Sequence, residues 1–210
     1  MLKKSLVVAV ALLLFVTTQA QNKQDKVKSI KPFRIGVKAG VPNIVGGNAE
    51  LVFFKRLAAY VDYSSYSGTF SGVDVSFNDF EAGVNIYFKP TGKGFYGSFG
   101  YSNFSLDGSY ADAQTSSGVD FTGLATGSLS INTLNTKLGV KMGRSFYMRI
   151  EAGYGFGTIP DKIDITGVVT ATVGGVSQTT TETGTEAIPD IPGISTSGMF
   201  LFNIGFGIGF

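Results

Sequence analysis

The sequence predicts an all-β protein, an eight-stranded antiparallel up-and-down transmembrane β-barrel, and three observations lead there. Apolar and polar residues alternate at period two in repeated segments, the mark of strands with two unlike faces. The N-terminus has the layout of an export signal. The chain also closes on GMFLFNIGFGIGF, from Gly198 to Phe210. There Phe200, Phe202, Ile204, Phe206, Ile208 and Phe210 form one bulky face that would aggregate in water unless something apolar covered it.

Residues 1–20 read as a secretory signal peptide. Lys3 and Lys4 precede an unbroken apolar run from Leu6 to Val16, and Thr18-Gln19-Ala20 supplies a small-residue cleavage site. The run is shorter than the roughly 17 residues a membrane helix needs. Residues 21–30 are polar and are assigned to a periplasmic tail, and residues 31–210 to the barrel. The formal charge of +2 falls to zero once Lys3 and Lys4 leave with the signal. The basicity therefore belongs to export and supports no nucleic-acid partner.

The first strand alternates Phe33, Ile35, Val37, Ala39 and Val41 with Arg34, Gly36, Lys38 and Gly40. Strand two carries Ala49, Leu51 and Phe53. Strand three sets Leu57, Ala59, Val61 and Tyr63 against Ala58, Tyr60, Asp62 and Ser64. Phe80 to Phe88 makes the fourth strand, opposing Glu81, Gly83, Asn85 and Tyr87, and the turn Pro90–Gly94 leads into the fifth with Phe95, Gly97, Phe99 and Tyr101. Leu134 to Met142 opposes Asn135, Lys137, Gly139 and Lys141 in the sixth. A tight Gly143-Arg144-Ser145 turn leads to the seventh, Phe146 to Phe156, with Tyr147, Arg149, Glu151, Gly153 and Gly155 on its other face. The terminal segment is the eighth.

Connections after strands two, four and six are short and basic, whereas long loops are expected near 107–128 and 157–197. Short turns at one end and long loops at the other are the pattern of a barrel in a bilayer with both termini in the periplasm. A water-soluble barrel would place its apolar residues inside. Ten strands is the alternative count, reached if residues 163–183 add two membrane strands. The segment Lys162 to Gly184 is rich in threonine and valine around Gly174-Gly175, a hairpin signal, so it is expected either as a protruding ribbon or as a loop.

At its C-terminus the chain resembles the small outer-membrane β-barrel superfamily, the OmpA-like and OmpX-like barrels. The resemblance implies that Gly205, Ile208 and Phe210 form the last-strand signal read by the barrel-assembly machinery, with Ile208 standing where an aromatic is commoner. It also implies an outer-membrane location, with outer-membrane lipid and lipopolysaccharide as surroundings.

Functional residues follow from which face each occupies. The inward charges are Arg34, Lys38, Glu50, Asp62, Glu81, Lys137, Lys141, Arg149 and Glu151, which would pair across a narrow lumen. The long loops carry Asp107, Asp112 and Asp120, and Asp161, Asp164, Glu182, Glu186 and Asp190 against Lys162 alone. Their spacing matches no calcium loop, and no metal or cofactor is assigned. With no histidine and no cysteine, a serine–histidine nucleophile, a histidine base and the usual zinc sites are all excluded, and the chain is expected not to be an enzyme. The glycine runs GYGFG and GFGIG lie inside strands and so lack the strand-to-helix context of a nucleotide loop. The expected role is structural or surface-interacting through the long loops, with an extracellular protein as a possible partner; the alternative is a small porin.

Overall fold

The computed structural model describes residues 30–42, 44–70, 72–116, 119–187 and 194–210. The predicted signal peptide 1–20, most of the polar tail, and Asp190 lie outside the described residues. Eleven strands form one antiparallel sheet: β1 (Phe33–Val41), β2 (Ile44–Phe54), β3 (Leu57–Phe70), β4 (Val73–Tyr87), β5 (Gly94–Ser116), β6 (Val119–Gly143), β7 (Phe146–Phe156), β8 (Lys162–Val173), β9 (Val176–Ala187), β10 (Ile194–Ser195) and β11 (Gly198–Gly209).

Each strand from β1 to β7 pairs with its sequence neighbour, β7 pairs with β11, and β11 returns to β1. The sheet is therefore a ring. Eleven strands stand where the sequence predicts eight, because β8, β9 and the two-residue β10 are added outside that path. The ten-strand alternative differs from what is seen: β8 and β9 form a hairpin that lies along the far half of β6, with Asp120–Ser128 paired to Asp164–Thr172. The hairpin turns at Gly174 and Gly175, both at positive φ, as the Gly-Gly signal requires.

The expected long loop at 107–128 is a correction. β5 and β6 are 23 and 25 residues long and stay paired from Gly94↔Lys141 to Ser116↔Val119. The segment 157–197 likewise holds β8 and β9. The strands themselves lengthen at this end, while the described connections between them stay short. Alternation persists there with serine, threonine and asparagine on the outward face, a pattern less visible than phenylalanine against lysine.

Register shows why. On β4, β5 and β6 the outward residues run Val84, Phe80 and then Asn78; Phe99, Tyr101 and then Asn103; Leu138, Leu134 and then Asn132. The inward residues change in the opposite sense, from Glu81 and Asp79 to Phe77, from Ser102 to Phe104, and from Lys137 and Thr133 to Ile131. Pairing puts these changes at one level, since Asn78, Ser105 and Ser130 are successive partners, as are Asp79, Phe104 and Ile131. Below that level the ring is apolar outside and polar inside; above it the sidedness reverses.

The outward apolar belt is bare. Phe95, Leu134, Leu138 and Phe146 are each about two-thirds exposed (67%, 65%, 67% and 65%). Phenylalanines 33, 54, 88, 95, 146 and 210 rim it at the short-turn end, and Tyr63, Phe80, Tyr101, Phe156 and Phe200 rim it at the other. No helix among the described residues is long and apolar enough to cross a membrane.

Glycine sets the thickness of the wall. Tyr96 lies opposite Gly139 in the β5–β6 register, and a Cβ on Gly139 would fall 2.5 Å from the Tyr96 Cζ. Tyr147 covers Gly36 and Gly207 in the same manner, and Tyr60 covers Gly100. Inward tyrosines thus reach across inward glycines of adjacent strands and of strands one further round the ring. Gly139→Leu is expected to force Tyr96 off its strand and destabilise the ring by about 1–3 kcal/mol, the usual overpacking range. A reduced fraction of protein running with folded mobility on an unboiled gel would show it.

Candidate functional site: the packed interior

All nine charges predicted to face inward are buried, and the ring brings every one into an ion pair. Toward the short-turn end the centre is Glu50, from β2. Arg34 Nη1 lies 2.5 Å from its Oε1 and Lys141 Nζ 2.6 Å from its Oε2. Asn85 donates to Oε2 at 2.7 Å, and the Tyr87 hydroxyl lies 2.9 Å from both oxygens. The Lys141 ammonium is also within 5.0–5.7 Å of the ring centres of Tyr87, Tyr96 and Tyr147, so cation–π attraction replaces part of the hydration it has lost.

Farther along the axis Asp62 receives Lys38 and Arg149, both at 3.1 Å. Arg149 extends to Glu151 at 3.5 Å, and Lys137 bridges Glu81 at 2.8 Å and Glu151 at 3.8 Å. Tyr60 donates to Glu81, and Tyr96 donates to Glu151 at 2.5 Å. Removing a charge from water costs several kcal/mol unless its partners are close and its remaining hydrogen-bonding capacity is used. Here each acid meets at least one cation, and all but Asp62 also accept from a tyrosine.

Sequence reasoning missed one charge. Asp79 is buried and accepts a hydrogen bond from Ser102. It sits one step beyond Phe80, where the fourth strand was expected to begin; continuing the alternation by two residues would have found it. With Asp79 the described interior holds five acids and five bases and is formally neutral. The alternation puts Tyr60, Tyr87 and Tyr147 on the inner face, but sequence carries no sign that Tyr87 and Tyr147, with Tyr96, converge on one lysine.

Apolar groups close the charge cluster at both ends. Val52, Ala58, Tyr87 and Tyr96, with Ile30 against them, fill the short-turn end. Phe77, Phe104, Ile131, Ile159, Met199 and Leu201 fill the lumen on the other side. An ion crossing this interior would have to part ion pairs and traverse two apolar layers.

Among solved structures, the crystal structure of CarO2 from Acinetobacter baumannii is similar at 12% identity and a TM-score of 0.45, covering 87% of this chain and 100% of that one. The translocator domain of autotransporter NalP from Neisseria meningitidis is similar at 12% identity and a TM-score of 0.33, covering 99% and 98%. No family model and no curated protein matches the chain. At such scores the likenesses carry no weight, and the functional reading rests on the molecule's own geometry.

The residues expected as an assembly signal lie on β11, between β7 and β1. Gly205 faces inward opposite Arg149, where a Cβ would come within 2.9 Å of Nε. Ile208 and Phe210 face outward, and Phe210 stacks on Phe33 at 6.3 Å between ring centres.

Glu50→Gln keeps the shape of the acid but leaves Arg34 and Lys141 without their only carboxylate partner among the described residues. It is expected to destabilise the fold by about 3–5 kcal/mol, the range for breaking a buried pair from one side. Adding Lys141→Met should recover part of that loss. Denaturant unfolding of the two variants beside the parent measures both effects.

Proposed function

We propose that this chain is a non-enzymatic integral protein of the bacterial outer membrane. Its ring of eight strands, β1–β7 and β11, crosses the bilayer, and the prolonged ends of β3–β6 with β8 and β9 stand outside as a surface for interaction. The observation that carries this reading is the reversal of sidedness. Only a change of surroundings along the axis accounts for apolar-out strands that become apolar-in at one level: lipid favours the first arrangement and water the second.

The belt supports it in dimension and detail. β7 spans the bare zone with 11 residues, within the roughly 9–11 that a tilted strand needs to cross a membrane, and aromatic side chains gather at both rims. The short-turn end then lies in the periplasm, where residues 21–30 would follow cleavage after Ala20. Outer-membrane lipid and lipopolysaccharide surround the belt. Gly205, Ile208 and Phe210 act as the address for the assembly machinery.

Outside, β5 and β6 continue about 12 residues past the level of the switch, roughly 40 Å at the rise of an extended strand. Among the described residues β9 pairs on one side only, and its 12 residues are exposed throughout. Such an edge accepts a partner's strand by main-chain hydrogen bonding. Glu182 and Glu186, together with the scarcity of large apolar residues on β9, discourage unspecific pairing with its own kind.

Transport is disfavoured by the neutral, doubly capped lumen. Lipid vesicles holding the refolded chain are expected to retain ions and small sugars like vesicles with a closed barrel; release above that level would replace this reading with a porin. Leu138→Arg at mid-belt is expected to cost about 2–4 kcal/mol in vesicles, whereas Ser130→Arg above the belt should be near neutral. Equal losses in urea unfolding would count against the bilayer placement. Trypsin applied to intact cells should spare Lys162, the first residue of β8, if the ribbon is formed there.

A further inference from the structure

Above the level where the sidedness reverses, the inner faces of β4, β5, β6 and β8 enclose a cavity of about 470 Å³. Its walls are Val75, Leu106, Leu129, Ile163 and Ile165, and its floor is the apolar cluster around Phe104, Ile131 and Met199. It does not continue into the lumen, because that cluster seals the way to the buried charges.

The cavity owes its room to a pair of glycines. Gly108 of β5 and Gly127 of β6 are direct partners in the register, and both face inward. Unlike the crowded glycines of the lumen, these have space in front of them. A Cβ on Gly108 would meet nothing within 4 Å, and one on Gly127 would make only ordinary contact, at 3.5 Å, with Ile163 Cδ1. Neither has the positive φ that demands glycine. Glycine within a strand weakens it, and here neither turn geometry nor close approach accounts for it. What the two glycines do is keep the wall recessed.

The geometry points to this recess as a binding site for a small apolar molecule without negative charge. Size sets the first limit: a cavity of about 150 Å³ holds one benzene ring, so this one takes a molecule of about two or three rings. Pockets of this volume with apolar walls are the usual form of small-molecule sites. Charge sets the second. The lining includes the acid Glu186 and no base. Glu186 is the register partner of Ile163, hence on the same face, and it makes no ion pair among the described residues. An anionic amphiphile would meet repulsion at the rim, whereas a neutral or aminated one would not.

The test uses the full mature chain refolded in lipid nanodiscs, with folding of every variant confirmed by gel mobility. N-phenyl-1-naphthylamine, an uncharged three-ring probe, is titrated against its fluorescence, with empty nanodiscs giving the background from lipid. Saturable binding with one site per chain is expected for the parent. Gly108→Leu and Gly127→Leu, made separately so that a folding defect in one does not decide the matter, should each weaken it at least tenfold. Ser105→Leu, the same change on the outer face of β5 and outside the lining, should leave it intact. The related sulfonate, 8-anilinonaphthalene-1-sulfonate, should not bind saturably. No saturable binding by the parent, or undiminished binding by the filled variants that fold, overturns the site, and sulfonate binding as tight as that of the neutral probe overturns the charge selection.

Discussion

What lies outside the ring governs what lies inside it. A closed sheet has two faces and a fixed pleat, so each residue that must satisfy the exterior assigns its neighbours to the interior. Along the lower part the exterior takes phenylalanine, leucine and valine, and the interior is left with the polar half of the sequence, including ten buried charges. Along the upper part the exterior takes serine, threonine and aspartate, and Phe77, Phe104, Leu106 and Ile131 turn inward. The ion-pair network and the apolar lid above it are two results of one constraint.

The same constraint explains why the interior is packed rather than open. A ring of this size leaves space for little more than its own side chains. Tyr60, Tyr96 and Tyr147 fit because glycines leave room for them, and Tyr87, Tyr60 and Tyr96 use their hydroxyls on Glu50, Glu81 and Glu151. A tyrosine in this interior is a spacer, a cap and a hydrogen-bond donor together. Phenylalanine, with the same ring and no hydroxyl, is used on the exposed outer face and in the dry lid.

Much of this was legible in the sequence because charge and bulk alternate without ambiguity: the nine lumen charges, the Gly143-Arg144-Ser145 hairpin and the terminal strand all follow from parity. Legibility ended where contrast did. Between Asp107 and Ser128 small polar residues alternate with glycine, alanine and leucine, which also suits a loop, so two long strands were read as a connection. Asp79 escapes the pattern because an apolar residue, Phe80, reads as the start of its strand. The Lys141 site was out of reach for another reason: Lys141, Glu50, Tyr87 and Tyr147 come from four strands, and only ring closure brings them together.

The network has a polarity along the chain as well as around the ring. β1 to β4 contribute Arg34 and Lys38 against Glu50, Asp62, Asp79 and Glu81, a surplus of two negative charges, while β6 and β7 contribute Lys137, Lys141 and Arg149 against Glu151, a surplus of two positive ones. The first half of the barrel is thus an acidic trough and the second a basic one. Glu50 meets Lys141 across 91 residues, and Asp62 meets Arg149 across 87. Neither half can neutralise its own inner surface, so a half-built sheet carries unbalanced charge that only its complement removes. Closure of the ring is therefore also what brings its interior to formal neutrality.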